Sequence, residues 1–189
     1  MTIRKQVFLH YKDSPMLEMI PSIYKAAPEL EEAGSTGGDP ANQRASHVSW
    51  ITSDKEENHE IFKNLFDITQ QANNDAEWYF DVGIVEPLQY TSYGPGERYD
   101  WHVDQHIHND AKEEFCRKIS FSLLLNDDFE GGELQLECGS PVQEERHQTV
   151  KLAKGDIIFF PSFHWHRVLP VTSGERHSLV GWVCGPNWR

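Results

Sequence analysis

Hydrophobic positions fall into two regimes along the chain. Up to about residue 76 they recur at helical spacing; beyond it they gather in short runs rich in β-branched and aromatic residues. Residues 53–73 predict a helix, with Ile61, Leu65, Phe66 and Ile68 spaced to share one face. Ser53 and Glu56 match a capping box, in which each side chain satisfies a backbone donor of the first turn. A shorter helix is predicted from Pro15 to Ala27. From Trp78 onward WYFDVGIV, LQYTSY, KISFSLLLN, GELQLE, QTVKL, DIIFFPS, HRVLPV and SLVGWVCG read as strands, separated by turns such as DDFEGG, KGD and TSGER. Many short strands after N-terminal helices imply a mainly β sandwich, barrel or jelly roll, with helices packed on one side.

Composition narrows this picture. A chain of 189 residues fits one domain, with a helical part of about 1–76 and a β core of about 77–189. With 38% hydrophobic and 12% aromatic residues it has a core to bury, which a disordered chain lacks. Its 17 basic and 30 acidic residues give a net charge of −13, the opposite of what a phosphate backbone requires. Neither nucleic acid nor a membrane is therefore an expected partner. Cys116, Cys138 and Cys184 are odd in number and form no CxxC, which suits reduced thiols. No apolar run reaches membrane-spanning length, and MTIRKQVFLHYKDSP lacks the apolar stretch of a signal peptide. A cytoplasmic location is expected. Residues 33–46, AGSTGGDPANQRAS, read as a surface loop.

The candidate chemistry begins at His102-Val-Asp104. In an extended strand, residues i and i+2 face the same way, so one imidazole and one carboxylate can aim at a single metal ion. His166, 62 residues after Asp104, is the best third ligand. Two histidines and one carboxylate leave open positions and suit non-haem Fe(II), although zinc accepts the same donors. Arg176 lies ten residues beyond His166. If the two lie on adjacent strands joined by the VTSGE turn, both face one cavity. The planar fork of Arg176 could there grip a cosubstrate carboxylate, and Ser178 could add a hydroxyl from the same face.

YGPGERYDWHVD, LLLNDDFEGGEL, KGDIIFFPS and HRVLPVTSGERHSLVGW occur in this order and at family spacing over residues of about 85–185. The chain thereby resembles the prolyl 4-hydroxylase-like branch of the 2-oxoglutarate/Fe(II)-dependent dioxygenases. That resemblance implies a double-stranded β-helix, a distorted, cupin-like jelly roll. It implies that His102, Asp104 and His166 hold Fe(II) and that Arg176 anchors the distal carboxylate of 2-oxoglutarate, where collagen-type enzymes use Lys. Tyr93 corresponds to a tyrosine contacting the cosubstrate. Leu124 falls where some relatives place another such tyrosine. Trp182 corresponds to a position lining the active site, and Tyr99 is a further substrate-wall candidate. The chemistry implied is hydroxylation with O2, releasing succinate and CO2, with ascorbate as a further candidate cofactor. Asp104 favours hydroxylation, because related halogenases lack this carboxylate.

Three function classes follow. The first is hydroxylation of a prolyl residue in a peptide or protein, over which segments 33–46 and 105–113 could close. The second is the same chemistry on a free amino acid or another small molecule. Nucleobase demethylases carry a second Arg where this chain has Trp182, which argues against a nucleobase. The third is a non-catalytic, cupin-like metal-binding module, which has no need of Arg176. Monomer and homodimer both remain open. His106 and His108 read as a solvated loop, and His164 as a weaker rival to His166. His177 should face away from Arg176. Tyr99 and Trp101 read equally as core or substrate wall, and Trp165 as packing. Glu130 and Glu133 are expected to be solvated, with their glycines permitting positive φ. Phe159, Phe160 and Pro161 read as core leading into a turn, and Arg117 as surface.

Overall fold

The computed structural model describes residues 6–33, 43–105, 115–140 and 142–188. Strand β1 (Leu9–Tyr11) leads through a 3-10 turn (Pro15–Met19) into helix α1 (Ile20–Ala26). Strands β2 (Glu31–Glu32), β3 (Arg44–Ala45) and β4 (His47–Ile51) precede helix α2 (His59–Asp75). The rest is strand: β5 (Ile84–Val85), β6 (Leu88–Tyr93), β7 (Arg98–His102), β8 (Phe115–Leu124) and β9 (Phe129–Gly131). There follow β10 (Leu134–Glu137), β11 (His147–Val150), β12 (Ile157–Pro161), β13 (His166–Val168), β14 (Val171–Gly174) and β15 (Arg176–Pro186).

Two main sheets form. The larger runs β1-β12-β8-β15-β6-β4-β2, with β5 also on β15; the smaller runs β11-β10-β13-β7-β3. Strand β14 pairs with β9 apart from both. The pairing is antiparallel throughout. Alternation along the strands divides the core. Ile119, Phe121, Leu123 and Phe159 join Ile23 and Leu65 of the two helices in one cluster. Ile158 and Phe160, their neighbours on the opposite face, join Leu134, Leu136 and Val168 of the smaller sheet in a second. Each fully buried side chain of this kind stabilises the fold by about 1.5–3 kcal/mol relative to exposure. One face of the larger sheet thus carries the helices, and the other meets the smaller sheet across an interior.

Three expectations change. The N-terminal part is not helical alone: β1 pairs with β12, β3 with β7 and β4 with β6, so both sheets include its strands. The Ser53/Glu56 capping box does not form. A 3-10 turn at Glu56–Asn58 precedes α2, and Asn58 at its N-cap makes no side-chain cap. The approach is fixed instead by Asn58 Nδ2 donating to the Thr52 carbonyl at 2.8 Å. Of WYFDVGIV, only Ile84–Val85 is strand. Glu77 and Tyr79 adopt positive φ, and the Asn73 side chain supplies the pairing a neighbouring strand would have given. Its amide donates to the Phe80 carbonyl at 2.8 Å, and its oxygen accepts from the Phe80 N–H at 2.9 Å.

Candidate active site

His102 closes β7 and His166 opens β13, and the two are direct partners across these strands. Asp104 lies just past β7, not in extended strand as the spacing suggested. Its N–H donates to the Ser162 carbonyl at 3.0 Å. Ligand atoms of His102, Asp104 and His166 lie within 4.8 Å of one another. His102 Nε2 is 3.7 Å from Asp104 Oδ1, and His166 Nε2 is 3.4 Å from Oδ2. His102 Nδ1 donates to the Asp100 carbonyl at 2.8 Å, and His166 Nδ1 to the His164 carbonyl at 3.0 Å. Carbonyls only accept, so these bonds place the proton on Nδ1 and leave each Nε2 lone pair facing the carboxylate.

The electrostatics suit a cation. Burial, reinforced by His166, lowers the His102 pKa to about 3, so the ring is neutral. Burial pushes the Asp104 carboxyl upward, but the neighbouring His166 and hydrogen bonding from the Ser120 and Trp182 side chains hold it below its ordinary value. A buried carboxylate therefore faces two lone pairs, and its Oδ2 has no hydrogen-bond partner. These donors are deprotonated, convergent and short of positive charge, which is what a divalent metal supplies. Their identity fits Fe(II).

Arg176 and His166 do not lie on adjacent strands as expected. Arg176 opens β15 of the larger sheet, while His166 belongs to the smaller one. They face each other across the interior, and both line one pocket of about 710 Å³ together with His102, Asp104, Tyr93, Ser178 and Trp182. Arg176 is 2% exposed. It donates to Ser178 Oγ at 3.0 Å and lies 5.6 Å from the Tyr93 ring centroid. Gly132 makes room for it: a Cβ there would sit 2.7 Å from Arg176 Cδ, and its φ is +66°. Leu124 stands apart from this group. It lines a second cavity on the other side of Arg176, with Gly132 and Phe129.

Tyr99 stacks on His102 with ring centroids 3.5 Å apart, so it packs on a candidate ligand while lining the pocket. Trp182 is buried and lines the pocket beside Asp104. Trp101 lies outside the pocket lining, under Arg167 at 4.7 Å. Trp165, expected to pack, is 49% exposed. His164 contributes only its carbonyl to the triad. His177 turns away from Arg176, with Nδ1 2.8 Å from the Tyr90 hydroxyl. Glu130 is exposed and Glu133 half-buried. His106, His108 and most of the segments 33–46 and 105–113 lie outside the described residues.

Arg117 and Arg44 line the pocket, and the sequence reading missed both. Arg117, expected at the surface, lies 3.8 Å over the Trp182 ring and donates to the Asp104 carbonyl at 3.3 Å. Glu86 holds it through two bonds of 2.9 and 2.6 Å. A bulge explains its inward position: Ile119 pairs with Val183 and Arg117 with Cys184, so Lys118 is an extra residue and the alternation flips. Arg44 falls in the segment read as loop, yet β3 pairs with β7, the strand that ends in His102.

Comparison with known proteins agrees with this geometry. A PKHD-type hydroxylase of Psychrobacter sp. (strain PRwf-1) is 31% identical over 160 residues, covering 82% of this chain and 59% of its own length. The chain spans about half the length of the curated relatives it matches. A Pseudomonas putida prolyl-4-hydroxylase superposes with a TM-score of 0.67 at 21% identity, covering 96% of this chain and 94% of that one. A Trichoplax adhaerens prolyl hydroxylase, solved with a hypoxia inducible factor peptide fragment, gives 0.67 at 17% identity, with 94% and 83% covered. These likenesses establish the double-stranded β-helix. The 2OG-Fe(II) oxygenase superfamily model matches residues 88–184, the stretch that carries all three ligand candidates and the buried arginine opposite them, and the chain belongs to that superfamily.

Proposed function

We propose that this chain is an Fe(II)- and 2-oxoglutarate-dependent dioxygenase hydroxylating a prolyl residue in a peptide or protein, with release of succinate and CO2. The observation that carries the reading is one pocket in which the His102/Asp104/His166 cluster faces the buried Arg176. Bound iron would supply the activation of O2 and of the target C–H bond. The protein's own groups do the rest. Carbonyls of Asp100 and His164 fix the tautomers of the two imidazoles. Arg176 and Ser178 grip the far carboxylate of 2-oxoglutarate, with Tyr93 beside them. Trp182 and Tyr99 wall the substrate side, and Phe121, Phe160 and Val168 exclude water.

A prolyl substrate is supported by the names of the solved neighbours and by the one solved with a peptide fragment. A pocket rim carrying the 46% exposed Trp50, its ring 6.1 Å from that of Trp182, suits a chain-like substrate. A metal-binding module without turnover leaves the buried Arg176 without a use.

The test is visible absorption under anaerobic conditions. Fe(II) is added to the metal-free protein and then 2-oxoglutarate, with Arg176→Ala in parallel. A charge-transfer band, weakened in the variant, is expected; proline-containing peptides are then screened for hydroxylation coupled to succinate. Bound metal with no band on adding 2-oxoglutarate would refute the oxygenase reading.

A further inference from the structure

Three arginines line the metal pocket, and two are accounted for. Arg176 faces the cosubstrate in the oxygenase reading, and Arg117 is neutralised by Glu86. Arg44 remains. Its Nε donates to Ser46 Oγ at 2.8 Å, and its guanidinium lies 4.7 Å from the centroid of the Tyr99 ring that stacks on His102. The side chain is thus held rigidly beside a metal ligand. Its Nη2 is buried and has no hydrogen-bond partner. No carboxylate among the described residues forms an ion pair with Arg44. A buried guanidinium N–H without an acceptor destabilises the protein alone, and a ligand that brings the acceptor removes that cost.

We infer that Arg44 reads a carboxylate of the primary substrate, placed next to the carbon that is oxidised. This rests on the oxygenase reading. A neutral carbonyl would satisfy the N–H but leave the positive charge uncompensated in the pocket; a carboxylate does both. A phosphate adds a second negative charge to a molecule already at −13, which opposes its approach. Two sources share this chemistry: an acidic side chain flanking the target residue in a peptide, and the terminal carboxylate of a free amino acid or chain end. Arg44 on this account sets specificity and takes no part in bond making.

The test uses the anaerobic complex with Fe(II) and 2-oxoglutarate, whose absorption band reports substrate entry. Two matched pairs are titrated: N-acetyl-prolyl-glutamate α-amide against its glutamine counterpart, and L-proline against L-prolinamide. In the wild type the acid of one pair is expected to perturb the band at a concentration at least about tenfold lower than its amide, the scale of one charge-assisted hydrogen bond. The responding pair names the source. Arg44→Gln should bring acid and amide together, and Arg44→Lys should restore part of the difference by keeping the charge without the fork. Equal response to acid and amide in the wild type, no response to any of the four, or a preference that survives in Arg44→Gln overturns the inference. So does a variant in which only the 2-oxoglutarate requirement rises, since the carboxylate read is then the cosubstrate's. If the band never forms in the wild type, the oxygenase reading itself fails, which the titrations register separately.

Discussion

Gly132→Ala tests how tightly Arg176, the proposed anchor of 2-oxoglutarate, is seated. Two costs arise at this position. The left-handed backbone, φ +66°, disfavours any side chain by about 1–2 kcal/mol. The added Cβ would also lie 2.7 Å from Arg176 Cδ and 3.0 Å from Val171 Cγ2, overpacking worth about 1–3 kcal/mol. At roughly 2–4 °C per kcal/mol for a domain of this size, the melting temperature should drop by about 4–20 °C. To regain an ordinary carbon contact of about 3.5 Å, the Arg176 stem must shift by something under ~1 Å. Misplacement on that scale costs up to about 100-fold in function. Gly96→Ala separates the two effects: its φ is +84°, but nothing lies within 4 Å of where its Cβ would stand. The assay is the 2-oxoglutarate titration of the anaerobic iron complex, with thermal melting of both variants. Gly132→Ala should raise the 2-oxoglutarate requirement about 10–100-fold, and Gly96→Ala should lose stability while keeping a near wild-type requirement. If the two variants melt alike and bind 2-oxoglutarate alike, Gly132 serves its backbone only and the packing argument is wrong.

Other outcomes follow from the same geometry. Arg176→Ala should raise the 2-oxoglutarate requirement by about 30–1000-fold, the loss of two charge-assisted hydrogen bonds, while iron binding measured by competition with a chelator changes little. His102→Ala should abolish iron-dependent succinate formation; normal turnover would remove His102 from the metal site. Asp156 bears on acid stability. Burial raises its carboxyl pKa, but the N–H groups of Ala153 and Asp13 and the His10 ring outweigh this and hold it below the ordinary value. Its stabilising contribution is therefore complete above the unfolded carboxylate value of about 3.9 and fades as pH falls through the lower folded value. Asp156→Asn should melt well below wild type at pH 7, and the gap should narrow on acidification below about pH 4. A gap independent of pH would show that the charge of Asp156 is immaterial.

The sheet class was legible because runs such as KISFSLLLN and DIIFFPS carry the near-continuous apolar and β-branched composition of strands buried on both faces. Ligand candidates were legible because His102, Asp104 and His166 need no register to be recognised as donors. What misled was local pairing. The Trp78–Val82 run has strand composition, yet Asn73 satisfies its backbone from within the chain. Ser53 and Glu56 have the right letters, but the helix begins three residues beyond Glu56. Arg117 eluded period-two reasoning because the bulge at Lys118 reverses which face it joins, and a bulge has no signature in one sequence. Arg44 sat among turn-forming residues, and only pairing with β7 draws it to the pocket.

The position of β15 couples cosubstrate to folding. This strand comes latest in sequence among those described, yet it lies between β6 and β8 near the middle of the larger sheet. Until it inserts, β12 and β8 stand on one side and β6 and β4 on the other, with no ladder between them. The cooperative unit therefore closes on the same strand that carries Arg176, Ser178 and Trp182. A ligand seated on Arg176 binds only the closed form, so by mass action it stabilises the whole sheet and not merely its own contacts. On the proposed reading, 2-oxoglutarate concentration would then set resistance to unfolding and proteolysis as well as turnover, making the protein's lifetime depend on a metabolite.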